Sequence, residues 1–174
     1  MKIVGIDPGN TGGMAVCENG EVIGVVPMPS HKITPVKKTY TVVDFSLVAK
    51  FLIANKPDKV YIELVGARPG QGGVSMFNFG YSTGGLHGIC AALGIPVKTV
   101  RPQEWKRLIF GTSKGSGDKQ DAIDFCETNC PNISLLPTKR SRTPSDGIAD
   151  AICISIYGMR DSIIDINKNN DGEK

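Results

Sequence analysis

The sequence predicts an α/β fold: a mixed five-stranded sheet, three antiparallel strands followed by two parallel ones, with helices on both faces. Three observations predict it. Short apolar runs separated by glycine-bearing turns fill the first 28 residues, the pattern of antiparallel strands. Beyond residue 43, helical apolar periods alternate with strand-like runs, the pattern of parallel strands joined by crossovers. Carboxylates stand at strand ends and a helix start, where open α/β sheets gather their function.

The elements follow in order. Lys2–Asp7, Gly13–Glu18 and Glu21–Met28 read as strands, with Glu18-Asn19-Gly20-Glu21 a hairpin signal. Pro29 to Thr39 reads as a polar loop. Val43–Asn55 carries apolar residues at 45, 47, 48, 51, 52 and 53, a helical period. Lys59–Val65 is a strand, 66–73 a glycine-rich loop, and Val74–Leu93 a long helix despite its glycines. Pro96–Val100 is a strand and Pro102–Phe110 a helix with proline at its first position. Asp118–Cys130 is a helix, 131–144 a loop, and Ser145–Tyr157 a final helix with Ser145 as its N-cap. The folded domain is expected to span 1–159, with 160–174 a polar, frayed tail.

Composition excludes several classes. With 174 residues, 40% of them hydrophobic, and a mean hydropathy of −0.07, the chain suits a single globular unit with a real core. No apolar run has the length of a membrane span, and Met1 leads directly into a strand rather than a signal peptide, so a cytoplasmic setting is expected. The five cysteines lie mostly in apolar patterns and read as reduced core thiols. Cys126 and Cys130 stand one helical turn apart with no histidine nearby, which disfavours zinc. A net charge of +3 neither requires nor opposes a polyanionic partner.

The chemistry lies in four carboxylates. Asp7 ends the first strand, alternating with Ile3 and Gly5, while Val4 and Ile6 point the other way. Glu63 is embedded in Val60-Tyr-Ile-Glu-Leu-Val65, and it stands beside Asp7 if the two strands are neighbours. Asp146 and Asp150 share one face at the start of the last helix. Four such acids would repel one another and raise their own pKa values, a penalty that a divalent cation reverses. Oxygen-only ligation suits Mg²⁺ or Mn²⁺, and two such ions would clamp the attacking and leaving oxygens of a phosphodiester. Each acid also has a plainer reading. Asp7 can form a turn, Glu63 can face water from an edge strand, and Asp146 can favour the helix dipole. Asp150, between two alanines in an apolar helix, is harder to explain that way.

Three motifs carry a resemblance: Val4-Gly-Ile-Asp-Pro-Gly-Asn-Thr-Gly-Gly13, Val60-Tyr-Ile-Glu63 and Ser145-Asp-Gly-Ile-Ala-Asp-Ala151. Together they resemble the RuvC family of Holliday junction resolvases in the RNase H-like superfamily. Pro69-Gly-Gln-Gly-Gly-Val-Ser-Met-Phe-Asn-Phe-Gly80, Ala91-Ala-Leu-Gly-Ile-Pro96 and Val100-Arg-Pro-Gln-Glu-Trp-Lys106 are similar to its bacteriophage-encoded branch. The likeness covers roughly residues 1 to 158. It implies a homodimeric endonuclease, dependent on Mg²⁺ with Mn²⁺ as a substitute, that nicks branched DNA symmetrically in a host cytoplasm. Asp7, Glu63 and Asp150 fall on the family's metal-binding acids, with Asp7 bridging two ions. The fourth position departs: residue 147 is glycine, and Asp146 lies four residues before Asp150. Metal-assisted hydrolysis needs no nucleophilic side chain, and neither His31 nor His87 stands in a Ser/His/Asp context.

DNA contacts are expected from Arg68 in the glycine-rich loop, whose plainer reading is a flexible turn, and from Phe77 and Phe79 as stacking groups, at least one of which reads better as core packing. They are expected too from Lys106, Arg107, Lys139, Arg140 and Arg142, a kind of charge usually solvated. Lys37, Lys38, Lys114 and Lys119 extend this dispersed basic pattern. Gly80, Gly84 and Gly88 line one helix face and would permit close approach, either to a second copy or to the sheet. Two other functions stay open. One is a non-catalytic protein that binds branched DNA; the other is an actin-like ATPase-type nucleotide-binding domain, whose phosphate hairpin Asp7-Pro-Gly-Asn-Thr-Gly-Gly resembles. The latter needs two such domains to enclose ATP, which 174 residues do not supply.

Overall fold

A computed structural model describes residues 1–34, 39–64, 66, 70, 72–111 and 119–171. The central sheet contains β1 (Lys2–Asp7), β2 (Gly13–Glu18), β3 (Glu21–Pro27), β6 (Lys59–Glu63) and β7 (Val97–Val100), in the order β3-β2-β1-β6-β7. β1 to β3 form an antiparallel meander, and β6 and β7 add to it in parallel. This is the expected mixed sheet. The hairpin between β2 and β3 turns at Asn19 and Gly20, both with positive φ.

Period-two alternation sorts the strand residues between two cores. Val4, Ile6, Val60 and Ile62 face α1 (Phe45–Asn55) and α2 (Gly73–Ala92), packing with Val48, Leu52, Leu86 and Cys90. Ile3 and Tyr61 face the opposite way, towards α3 (Pro102–Phe110), α4 (Lys119–Asn129) and α5 (Asp146–Asp171). Because they continue these alternations, Asp7 and Glu63 face the α5 side. α5 lies directly on β1, and glycine is what permits it. A Cβ on Gly5 would run into the α5 backbone at Ala151 and Ser155, and one on Gly158 would meet the Tyr61 ring.

Two expectations need correction. The segment expected as a loop from Pro29 to Thr39 contains β4 (Ser30–Ile33), which pairs antiparallel with β5 (Tyr40–Val43) as a separate two-stranded ribbon. β4 is exposed along its whole length, so it lacks the apolar alternation that marks a half-buried strand. β5 takes Val43, and α1 therefore starts two residues later than expected, capped by Asp44, whose Oδ1 accepts from the Ser46 and Leu47 amides. The second correction concerns the tail. Residues 160–171 are not frayed but continue α5 to a length of 26 residues. Their polar side chains meet polar groups on the sheet, which a hydropathy pattern does not register. The Tyr61 hydroxyl donates to Asp161 Oδ2 at 2.7 Å and lies 2.9 Å from the buried Ser162 hydroxyl. Lys98 Nζ donates to the same Asp161 oxygen at 2.6 Å and stands 3.7 Å from Asp165.

Candidate metal centre

Strand register brings the first two acids together. Ile6 of β1 stands opposite Ile62 of β6, so the next pair along the parallel ladder is Asp7 and Glu63. The third acid arrives on α5, whose first turn abuts the β1–β2 connection. Ser145 caps that helix as expected, accepting from the Ile148 amide at 3.3 Å. Gly147 is buried there, and a Cβ on it would sit 2.5 Å from Gly12 Cα and closer still to the Thr11 carbonyl oxygen. No side chain of any kind fits at 147. The departure noted in the sequence is therefore steric: the helix start packs backbone to backbone on the loop that follows Asp7. Asp146 occupies the first helical position and accepts from the Gly147 amide at 3.1 Å.

The electrostatics record the convergence. Burial, then the charges of Asp7 and Glu63, push the Asp150 carboxyl up to about 7; Lys106 opposes the shift and Asp146 adds to it. Each neighbouring acid also engages a local donor. Asp7 Oδ1 accepts from the Gly9 amide at 3.2 Å, and Glu63 Oε1 accepts from Trp105 Nε1 at 2.9 Å. Among the described residues, no three His, Cys, Asp or Glu side chains are drawn together at metal-ligand spacing. The donor set itself is oxygen-only and acidic, the chemistry of a hard divalent cation.

The expected DNA-binding residues fall in different places. Lys106 is near enough to Asp150 to bear on its charge, so it belongs to the acidic centre rather than to a remote surface. Its Nζ lies 5.3 Å from the centroid of the Trp105 ring. Arg107, Lys139, Arg140 and Arg142 are exposed, the last three in the loop leading into α5. Phe77 and Phe79 diverge. Phe77 is 72% exposed and lies nearly parallel to Tyr81, with 16° between the rings. Phe79 is half-buried and lines a groove of about 590 Å³ with Pro8 to Thr11, beside the Asp7 loop. Arg68, Lys37, Lys38 and Lys114 lie outside the described residues. Cβ atoms on Gly80, Gly84 and Gly88 would meet open space, so this helix face does not pack on the sheet.

Two features escaped the sequence. Trp105, within Val100–Lys106, has no role that its sequence context assigns, although Pro102 sets the phase that turns Trp105 and Ile109 inward. A second groove of about 770 Å³ between the β4–β5 ribbon and α2, walled by Tyr40, Phe77 and Tyr81, could not be foreseen without the ribbon.

The sheet order, the register and the helix packed across β1 define the fold as RNase H-like, of the kind seen in RuvC-type resolvases. No protein-family model and no curated protein sequence matches the chain. Solved structures do. RuvC of Thermus thermophilus in complex with a Holliday junction substrate is 18% identical and superposes with a TM-score of 0.58 over 90% of this chain and 92% of that one. RuvC of the same organism in a second structure gives 19% identity, the same coverage and a TM-score of 0.56. The fowlpox virus resolvase, solved with Holliday junction DNA, is 16% identical with a TM-score of 0.51, covering 92% of this chain and 98% of that chain.

Proposed function

We propose that this protein is a metal-dependent, structure-selective DNA endonuclease that resolves four-way junctions and related branched DNA by paired phosphodiester hydrolysis, acting as a homodimer. One observation carries the reading: Asp150, pushed up to about 7 by its burial and then by the charges of Asp7 and Glu63, shares the sheet's end with acids from two other elements. A structural role gives no reason for such a concentration of charge, whereas a cation resolves it. Asp7, Glu63 and Asp150 would hold Mg²⁺ or Mn²⁺, with Asp146 at the edge of the set. When bound, such ions supply the Lewis acidity that activates water and stabilises a departing 3′ oxygen. The chain's own groups do the rest. Lys106 presents an ammonium beside the acids for a phosphate oxygen, and Arg107, Lys139, Arg140 and Arg142 offer solvated cations to the backbone of the DNA arms. Phe77 and Phe79 offer aromatic faces to unpaired bases. The open glycine face of α2 is the surface by which we place the second copy.

The test is a labelled four-way junction and a matched linear duplex, each incubated with Mg²⁺, Mn²⁺ or EDTA, beside the Asp7→Asn variant. Paired nicks near the branch point are expected, lost in EDTA and reduced at least 100-fold in the variant, on the order of 3 kcal/mol of barrier. Junction binding without cleavage in either metal would leave a non-catalytic branched-DNA-binding protein.

A further inference from the structure

We propose that Trp105 is a positioning residue for the centre: its indole N–H fixes the Glu63 carboxylate in the orientation in which it would meet a bound cation. The inference rests on the metal-dependent reading above. A glutamate side chain has three rotatable bonds, and fixing it costs entropy unless something else has already done so. Trp105 Nε1 reaches Glu63 Oε1 at 2.9 Å, which engages one oxygen of that carboxylate. The indole donates and never accepts, and it carries no charge. It therefore steadies the ionised carboxylate without competing with a cation for the site, as an arginine or lysine in its place would.

The ring is itself immobile. Trp105 is 0% exposed, meets Phe110 edge-on at 5.9 Å between centroids, and through Phe110 leans on Phe125 at 6.0 Å. The outer face of the same indole lies under Lys106. One side chain thus sets both an acid and the neighbouring ammonium. A buried tryptophan satisfying its N–H on the nearest acceptor would show the same hydrogen bond, so the test must read metal binding rather than stability.

Trp105→Phe keeps the ring and removes the donor. Mn²⁺ affinity by titration calorimetry should fall about tenfold, within the range that loss of such orienting bonds produces. The Mg²⁺ concentration for half-maximal cleavage should rise by the same factor while turnover at saturating Mg²⁺ changes little. Junction binding in EDTA should not change. A folded variant with unaltered Mn²⁺ affinity, beside a wild type that binds, overturns the positioning role and leaves the nuclease reading standing. A wild type that binds no Mn²⁺ overturns both. If the variant fails to fold, the wild type still decides: it has one tryptophan and hence one indole N–H resonance. That resonance should move on Mg²⁺ titration and should not respond in Glu63→Ala. A resonance unmoved through saturation refutes the proposal.

Discussion

Asp150 makes the residue scale experimental. Its carboxyl titrates near 7 in the folded, metal-free protein against an ordinary value of 3.8, because burial and then the charges of Asp7 and Glu63 disfavour ionisation. Between about pH 4 and pH 7 the folded chain holds a proton that the unfolded chain has released. Stability of the metal-free protein therefore falls as pH rises through that window. Asp150→Asn should abolish the fall and leave the metal-free protein more stable at pH 8, by on the order of 2 kcal/mol, while eliminating cleavage. Thermal melts in EDTA across pH 4 to 8, with and without the substitution, check it. Melts of the wild type in Mg²⁺ should lose the same pH dependence.

At the scale of elements, the sites where helix meets strand are set by absent side chains. Gly147 places the first turn of α5 against Thr11 and Gly12, with backbone atoms that cannot step aside. Gly147→Ala should shift that turn, destabilise the fold by about 1–3 kcal/mol and lower cleavage more than junction binding, as melting and gel-shift titrations would report. The far half of the same helix is held by polar groups. Burial alone would raise the Asp161 carboxyl, but its hydrogen bonds from Lys98 and Tyr61 outweigh that and hold it below the usual range. Stability from this contact is present above the unfolded pKa and lost as pH falls through the folded one. Asp161→Ala leaves the Tyr61 hydroxyl and the Lys98 ammonium without that acceptor and should cost about 1–2 kcal/mol at pH 7. The cost should shrink as pH falls below the ordinary carboxyl range in denaturant titrations.

Much of the molecule was legible in the sequence because its signals are local. The three amino-terminal strands, the Ser145 cap and the Pro102 start each depend on a few adjacent residues. The parallel pairing of β1 with β6 is the condition on which Asp7 and Glu63 stand side by side, and the strand register meets it. What was not legible depends on partners far along the chain. The polar carboxyl-terminal residues looked solvated because Tyr61 and Lys98, their partners, are distant in sequence. The exposed β4 strand carried no alternation to detect. Phe77 and Phe79, two residues apart, could not be told apart before α2 had a neighbour. On the scale of the whole molecule, Phe77 stands beside the groove under the β4–β5 ribbon while Phe79 lines the one beside the Asp7 loop. Phe77→Ala should weaken binding to a four-way junction roughly tenfold and binding to linear duplex hardly at all, because only the junction offers unstacked bases. Competition gel shifts at fixed salt measure that ratio.

Helix α5 joins these scales. Asp150 sits near one end, and Asp161, eleven residues on, is tied to strands β6 and β7, a separation of roughly 16 Å at helical rise. A helix held at both points carries a displacement at one along to the other. The bearing of one carboxylate thus depends in part on a tyrosine and a lysine about three turns away, so a change at the chain's quiet end would be felt among the acids.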